Sequence, residues 1–354
     1  MSKPKDPDPD IVLRSSDGVQ FRVRKSLLSH ASPVFNDMFS VPSPDSDLDT
    51  PIIDLSEPSE TLNLILDLCH TYSPFTSLPI NSLSDIANLL QAADKYDIES
   101  IQIRALSSLA QTEFLENEPL RVYAIASRFG AHETAALAAQ RVLRYPLLHA
   151  EYFSELELVN GGTIYRILHY HKQCSAAALK VATDHTWIRD GTYVFIDCPG
   201  ADSDGDGDGD ADLDDDLKGF ETSTTIRTHR SNRYKNGYPK SVSVHRWWSK
   251  FMATTKVALQ ESIAAVTIRD MGRVTEALSS AFLCRHCRKR VKSDFAKFLD
   301  AFVNEVEERT NDVSASMCSF KFRYLIGFDR LNLSNLVHHQ ETFFGDDWET
   351  YAEF

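Results

Sequence analysis

The chain has 354 residues, of which 42% are hydrophobic, a length and composition typical of about two domains with sizeable cores. It has no apolar run long enough to span a membrane, and the opening MSKPKDPDPD is acidic and proline-rich, so we expect neither a membrane helix nor a signal peptide. The formal net charge is −14, but nine of these charges are aspartates between Asp202 and Asp216. The acidity is therefore local and does not indicate a class of partner.

The sequence predicts a β-hairpin from Ile11–Leu13 and Val19–Val23, with a turn at Gly18 between them. Ser32-Pro33 then has the N-cap and first-residue signature of a helix. A third strand is predicted at Ile52–Leu55. Apolar residues at helical spacing predict two further helices, over 59–72 and 83–96. We expect a core that includes Phe35, Met38, Phe39, Leu89 and Leu90, whereas Tyr96, with the charged Asp94, Lys95 and Asp97, is expected at the surface.

Three segments, FRVRKSLLSHASPVFNDMF, IIDLSEPSETLNLILDLCHTY and LLQAADKYDIESI, resemble the BTB/POZ domain in their order and spacing. The resemblance implies a short mixed sheet packed against a helical cluster. It also implies a protein-interaction module with no catalytic residues and no cofactor.

Two features depart from the family pattern. Arg24 stands where the family often has His, and the loop SVPSPDSDLDTP lacks the apolar-x-acid step of members that recruit a cullin. Members that swap strands as dimers have an additional helix and strand before the domain, whereas nine Pro- and Asp-rich residues precede Asp10 here. A homodimer would therefore form through helix faces, without the swap.

Beyond this segment, helical spacing continues, so the expected fold class is α+β and mainly α, a BTB/POZ fold followed by an all-helical C-terminal region. HETAA at His132 lacks the second histidine of a zinc-protease helix. The expected division is a disordered N-terminus (1–9), the BTB/POZ domain (10–105), a helical extension (106–190), an acidic then basic low-complexity linker (191–240), a C-terminal helical domain (241–310) and an aromatic-rich tail (311–354).

The linker contains two patterns that imitate binding sites. The D-x-D-x-D-G spacing from Asp204 to Gly209 resembles the start of a calcium loop, but Asp215 stands where that loop needs Glu, so an acidic disordered loop is favoured. Basic and aromatic residues alternate over 226–250, a pattern that occurs in nucleic-acid binding. We expect instead that Trp247 and Trp248 begin a helix and pack inward.

The stretch LCRHCRKRVK contains the closely spaced pair Cys284 and Cys287. With Val291 and the phenylalanines at 295, 298 and 302 they form one apolar stripe at helical spacing, so core packing in mid-helix is the default interpretation. That position would deny a redox pair the help of a helix N-terminus. Half a zinc site is the alternative. Its other ligands would come from Cys174 or His171, and from Cys198 or His185.

A second resemblance joins WWSKFMATTKVALQES and CRHCRKRVKSDFAKFLDAFVNEVEE to the C-terminal half of a large fungal group of BTB proteins. That group repeats the CxxC and the helical F-x-x-F pattern, which keeps a zinc or shared packing role open for Cys284 and Cys287. Lys289-Arg290-Val291-Lys292 also matches a short nuclear-import pattern, although such patterns occur often by chance.

We therefore expect a non-enzymatic scaffold or adaptor that binds proteins through its BTB/POZ domain, with no cofactor and no membrane or nucleic-acid partner. No phosphate-binding glycine loop, G-x-S-x-G elbow or H-E-x-x-H helix occurs in the sequence. The alternatives are a transcription- or chromatin-associated BTB protein that contacts nucleic acid through its basic segments, and a substrate adaptor of a cullin ubiquitin ligase. The six cysteines lie mostly far apart, which favours free thiols and an intracellular location, cytoplasmic, nuclear or both.

Overall fold

The computed structural model describes residues 8–41, 50–70, 80, 82–188, 192–200, 225–228 and 240–316. The strands are β1 (Ile11–Arg14), β2 (Gln20–Val23), β3 (Ile52–Asp54), β4 (Thr225–Thr228) and β5 (Lys240–Ser243). The α-helices are α1 (Lys25–Ala31), α2 (Pro33–Ser40), α3 (Ser59–His70), α4 (Leu83–Lys95), α5 (Glu99–Leu109), α6 (Thr112–Asn117), α7 (Pro119–Arg128), α8 (His132–Val142), α9 (Gly161–Thr183), α10 (Arg246–Glu261), α11 (Ala265–Ile268), α12 (Met271–Leu283) and α13 (Val291–Ser316). Short 3-10 helices occupy Leu147–His149, Ser154–Leu158 and His185–Trp187.

The predicted hairpin is confirmed by β1 and β2, which pair antiparallel from Ile11 opposite Val23 to Arg14 opposite Gln20. Gly18 has φ +83°, a left-handed conformation that glycine adopts at little cost in this turn. The third predicted strand is β3, which pairs parallel to β1. The sheet order β2-β1-β3 is thus mixed, as the family resemblance implied.

The helix start predicted at Ser32-Pro33 is also confirmed. The Ser32 hydroxyl accepts a hydrogen bond from the Phe35 backbone N–H at 3.0 Å, and Pro33 is the first helical residue. The same hydroxyl donates to the Tyr96 carbonyl, so one side chain joins α2 to the end of α4. Phe35, Leu89 and Leu90 are buried as expected, while Met38 and Phe39 are partly buried against the core.

The surface position expected for Tyr96 is wrong, because its side chain is only 1% exposed. Its ring stacks on Phe35 with centroids 4.4 Å apart, and its hydroxyl donates to the buried Glu57. Lys95 completes this contact, with its Nζ 2.7 Å from the Glu57 carboxylate. The charged residues on either side of Tyr96 suggested a surface position, but the ring lies in the core and its hydroxyl is paired there with Glu57.

The next helices pack directly on the N-terminal unit. α7 contacts α4, α5 and α8, and Arg121 on α7 lies between two partners from distant parts of the chain. Its Nη2 donates to Ser84 Oγ on α4 at 2.9 Å, and its Nε donates to Glu155 at 3.2 Å. Ser84 in turn donates to Glu155 at 3.1 Å. Arg121 Nη1 also donates to Glu118, so this four-residue network, with Glu155 only 3% exposed, joins α4, α7 and the chain after α8.

The C-terminal body has α9 at its centre, packed against α10 and α13. Between these helices lies an aromatic cluster formed by Tyr193, Phe195, Trp247, Trp248, Phe295 and Phe298. The expected class, α+β and mainly α, is confirmed. The body also has a two-stranded antiparallel sheet of β4 and β5, which the sequence did not predict. Among the described residues, no helix has the length and hydropathy needed to cross a bilayer.

Candidate functional site

The β4–β5 ladder ends at a point that brings two distant residues together. An isolated antiparallel bridge pairs Ile196 with Val244, and the Asp197 backbone N–H donates to the Ser243 carbonyl at 2.8 Å. Asp197 has φ +57°, a left-handed turn that aspartate tolerates better than most residues. Cys198 follows this turn, and His245 follows the bridge directly and caps α10.

The helix predicted through Cys284 and Cys287 is wrong. α12 ends at Leu283, Cys284 is its C-cap, and residues 285–290 form a turn before α13 begins at Val291. The backbone N–H groups of Cys287 and His286 point at the Cys284 sulfur. In a continuous helix they would bond preceding carbonyls instead, so the thiol competes with helix propagation. A mid-helix position therefore does not exclude a redox pair here.

This turn and the end of the β4–β5 ladder form a cluster of four donors, Cys198, His245, Cys284 and Cys287, whose ligand atoms all lie within 4.8 Å of one another. The Cys198 sulfur is 3.9 Å from that of Cys284 and 3.6 Å from that of Cys287. Three of the residues are 6% exposed or less, and Cys284 is half-buried. We call these four residues the Cys3His cluster.

Gly200 packs against the Cys3His cluster. Its backbone N–H donates to the Cys198 sulfur at 3.4 Å. A Cβ at this position would lie 2.8 Å from the Cys284 sulfur and 3.6 Å from His245 Nε2. His286 Nδ1 would lie at 3.3 Å, so a side chain at this position would force the Cys284 thiol to shift, and the His245 Nε2 atom lies on the same side of Gly200 as this thiol.

Burial and mutual contact perturb the three thiols differently. Burial raises the pKa of Cys287, and the neighbouring Cys198 and Cys284 raise it further. Burial also raises the pKa of Cys198, partly offset by the Gly200 N–H. For Cys284, burial is outweighed by the backbone N–H groups of Cys287 and His286, and its pKa is lowered. Such a group of thiols and an imidazole is chemically suited to holding a soft or borderline cation.

Of the four partners that the sequence offered for the cysteine pair, the structure brings Cys198 to it. Cys174 and His171 lie on α9, and His185 packs edge-on against Trp248 with ring centroids 5.1 Å apart. His245 was missed because it lies within the basic, aromatic stretch that was considered as a nucleic-acid patch or a helix start and not as a source of metal ligands. The one available signal was its place in SVSVHRWW, between an alternating strand pattern and a helix start.

The other sequence patterns have mixed outcomes. Trp247 and Trp248 begin α10 and are buried, so the inward packing expected of them is confirmed. The calcium-like spacing at Asp204–Gly209 lies outside the described residues. So do the loop after α2, residues 42–49, and residues 317–354 of the expected tail. The basic side chains of the turn before α13 are exposed, namely Arg285, Arg288, Lys289 and Arg290, and so is Lys292 in the first turn of α13.

The N-terminal unit has apolar side chains at its surface. Ile52 on β3 is 46% exposed and Val41, which ends α2, is 69% exposed. In the described sheet β3 has a neighbour on one side only, so its other edge presents backbone groups that another chain can pair with. Arg14 and Asp54, which stand opposite each other on β1 and β3, form an exposed two-point ion pair.

Comparison with known proteins gives a family for this unit. No curated protein matches the chain. The family model described as BTB/POZ domain matches residues 3–113, which include the mixed sheet and α1–α5. Residues 3–113 are therefore assigned as a BTB/POZ domain, a protein-interaction module that is not itself catalytic.

Proposed function

We propose that this chain is a non-enzymatic adaptor of the fungal BTB type, in which the BTB/POZ domain binds a protein partner and the helical body holds a second component. The observation that carries the proposal is the BTB/POZ domain itself, because its activity is association with proteins and it brings no reaction chemistry. Domains of this family often dimerise, so a second copy of the chain is one such partner.

The direct packing between the two parts supports an adaptor role. Arg121 bonds Ser84 in the BTB/POZ domain and Glu155 beyond it, and the Ile263 N–H before α11 donates to the Leu143 carbonyl at 2.7 Å. Each contact spans segments that are distant in sequence. A partner bound to the domain is therefore held at a fixed position relative to the C-terminal body, as an adaptor requires.

The exposed apolar residue Ile52 of the BTB/POZ domain allows the adaptor role to be tested. Tagged full-length chain would be used to recover associated proteins, and its own mass would be measured by analytical ultracentrifugation. We expect Ile52→Lys to reduce recovery of a specific partner, or self-association, severalfold, because burying an unpaired charge at an interface is costly. The control is Val266→Lys in the C-terminal body, where Val266 is 72% exposed. Equal association by wild type and Ile52→Lys, with no change on deleting α1–α5, would contradict the proposal.

Nucleic-acid binding is a second candidate, favoured by the exposed cations of the turn before α13. Exposed Arg and Lys side chains bind phosphate, and such binding weakens steeply with salt. The inward packing of Trp247 and Trp248 removes two of the aromatic side chains that were considered for stacking on bases. Duplex DNA titrated with the full chain at two salt concentrations, for wild type and for Arg288→Ala/Lys289→Ala, tests this alternative. Affinity that does not change with salt or with this variant would exclude it.

Recruitment of a cullin is the remaining alternative. The loop that would carry the recruiting contact, 42–49, lies outside the described residues, and its sequence lacks the apolar-x-acid step. The same affinity recovery addresses this alternative, because a cullin among the proteins lost with Ile52→Lys would favour it.

A further inference from the structure

We propose that Cys198, His245, Cys284 and Cys287 bind one zinc ion in a closed, structural site that locks the C-terminal body. The proposal goes beyond the adaptor role and does not depend on it. It rests on the convergence of four donors from three separate places, namely the turn after the 196–244 bridge, the N-cap of α10 and the turn between α12 and α13.

The spacing of the donor atoms fits a tetrahedral ion. With Zn–S bonds of about 2.3 Å, two sulfurs on a tetrahedron are about 3.8 Å apart, and a sulfur and a nitrogen about 3.6 Å apart. The Cys198 sulfur is 3.9 Å and 3.6 Å from its two neighbours, and all four donors lie within 4.8 Å. Only small side-chain movements would therefore bring them to bonding distance.

The donor set also indicates which ion and which kind of site. Three thiolates and one imidazole are typical of structural zinc, and four protein ligands leave no position for a reacting water. The Gly200 N–H on the Cys198 sulfur, and the N–H groups that point at Cys284, are the backbone contacts that orient and stabilise sulfur ligands. The backbone at Gly200 also packs closely against the cluster, since a Cβ there would lie 2.8 Å from the Cys284 sulfur.

A disulfide is the competing explanation for close cysteines. It needs sulfur atoms about 2.05 Å apart, whereas the Cys198 and Cys287 sulfurs are 3.6 Å apart. Forming it would also leave Cys284 and His245 beside the bridge with no role in it. A metal uses all four side chains, so the observed cluster is explained more completely by one ion.

Zinc content is measured first on the full wild-type chain. Protein purified from zinc-supplemented cells is dialysed against a weak chelator and analysed for zinc, copper and iron. Zinc removed under denaturing conditions is then replaced by cobalt(II), whose visible absorption reports tetrahedral geometry and thiolate ligation. We expect one zinc per chain, a cobalt spectrum with sulfur-to-metal bands, and a fall in melting temperature when a strong chelator removes the ion, because binding energy is linked to folding.

Variants then assign the ligands. Cys284→Ser and His245→Asn are expected to lose zinc, whereas Cys174→Ser, at a buried cysteine, and His185→Asn, at a partly buried histidine, are matched controls that keep it. The wild-type measurements remain decisive where a variant fails to fold. Wild type without stoichiometric zinc, a Cys198–Cys287 disulfide found by mass spectrometry, or full zinc retention in Cys284→Ser would each overturn the proposal.

Discussion

Replacing Arg121 with Met is expected to destabilise the contact between the BTB/POZ domain and the helices that follow it. Arg121 donates to both Glu155 and Ser84, and Glu155 is only 3% exposed. Removing one partner of a buried ion pair costs about 3–5 kcal/mol, because the remaining charge is left uncompensated. Arg121 is 22% exposed and Ser84 still donates to Glu155, so we expect the lower end, about 3 kcal/mol.

The loss of stability in Arg121→Met is also expected to depend on pH. Burial would raise the pKa of Glu155, but the hydrogen bonds from Arg121 and Ser84 outweigh it and hold the pKa below its ordinary value. Its ionised form therefore stabilises the wild type above the unfolded-state pKa, and this contribution is lost as the pH falls through the folded-state pKa. In Arg121→Met the carboxylate lacks its partner, so the deficit relative to wild type should be full at pH 7 and shrink towards pH 4.

Urea denaturation followed by circular dichroism measures the loss, and hydrogen exchange in α4 and α7 locates it. The control is Arg309→Met, which removes an exposed pair with Glu305 one helical turn away and should cost about 0.3–0.5 kcal/mol. An Arg121→Met deficit no larger than that of the control, or one that is the same at pH 4 and pH 7, would refute the reasoning.

Three further changes test other parts of the structure. Tyr96→Phe should cost about 1.5–3 kcal/mol in urea denaturation, because the stack on Phe35 remains but the buried Glu57 loses a donor; no measurable loss would show that Glu57 finds another partner. Gly200→Ala should cost about 1–3 kcal/mol through collision with Cys284, whereas Gly161→Ala, with nothing near its Cβ, should not destabilise the chain. Burial lowers the pKa of His185 to about 4, so the free energy of unfolding should fall by up to about 3 kcal/mol as the pH drops from 6.5 to 4. In His185→Phe this dependence on pH should become weaker, as measured by denaturation followed by fluorescence.

The N-terminal fold was predictable because its signals are local. A turn glycine between short strands, a Ser-Pro helix start and apolar spacing along α3 and α4 each depend on residues within one element. Tyr96 was not predictable in this way, because its burial depends on Phe35 and Glu57, which lie 61 and 39 positions earlier in the sequence. The charged residues next to Tyr96 indicate where the helix meets solvent, but they do not indicate that Phe35 and Glu57 pack against its side chain.

The Cys3His cluster shows the same limit for function. The pair Cys284 and Cys287 was recognisable from its spacing, and Cys198 was among the candidates for its other half. His245 was not a candidate, because only the β4–β5 ladder and the Ile196–Val244 bridge bring it to the cysteines. The apolar stripe predicted one helix through the cysteines, but only the part from Val291 onward lies on a helix, α13. At Cys284, the thiol accepts backbone hydrogen bonds and α12 ends.

Two described segments, one ending at Gly200 and the other beginning at Thr225, are anchored in the C-terminal body. Gly200 and Thr225 are held on either side of the aspartate-rich stretch, one against the Cys3His cluster and the other in the ladder. The contacts of Gly200 with the Cys3His cluster and of Thr225 with Ser243 lie within the described residues. We therefore expect a reporter domain or an affinity tag inserted between these two positions to leave both anchors in place.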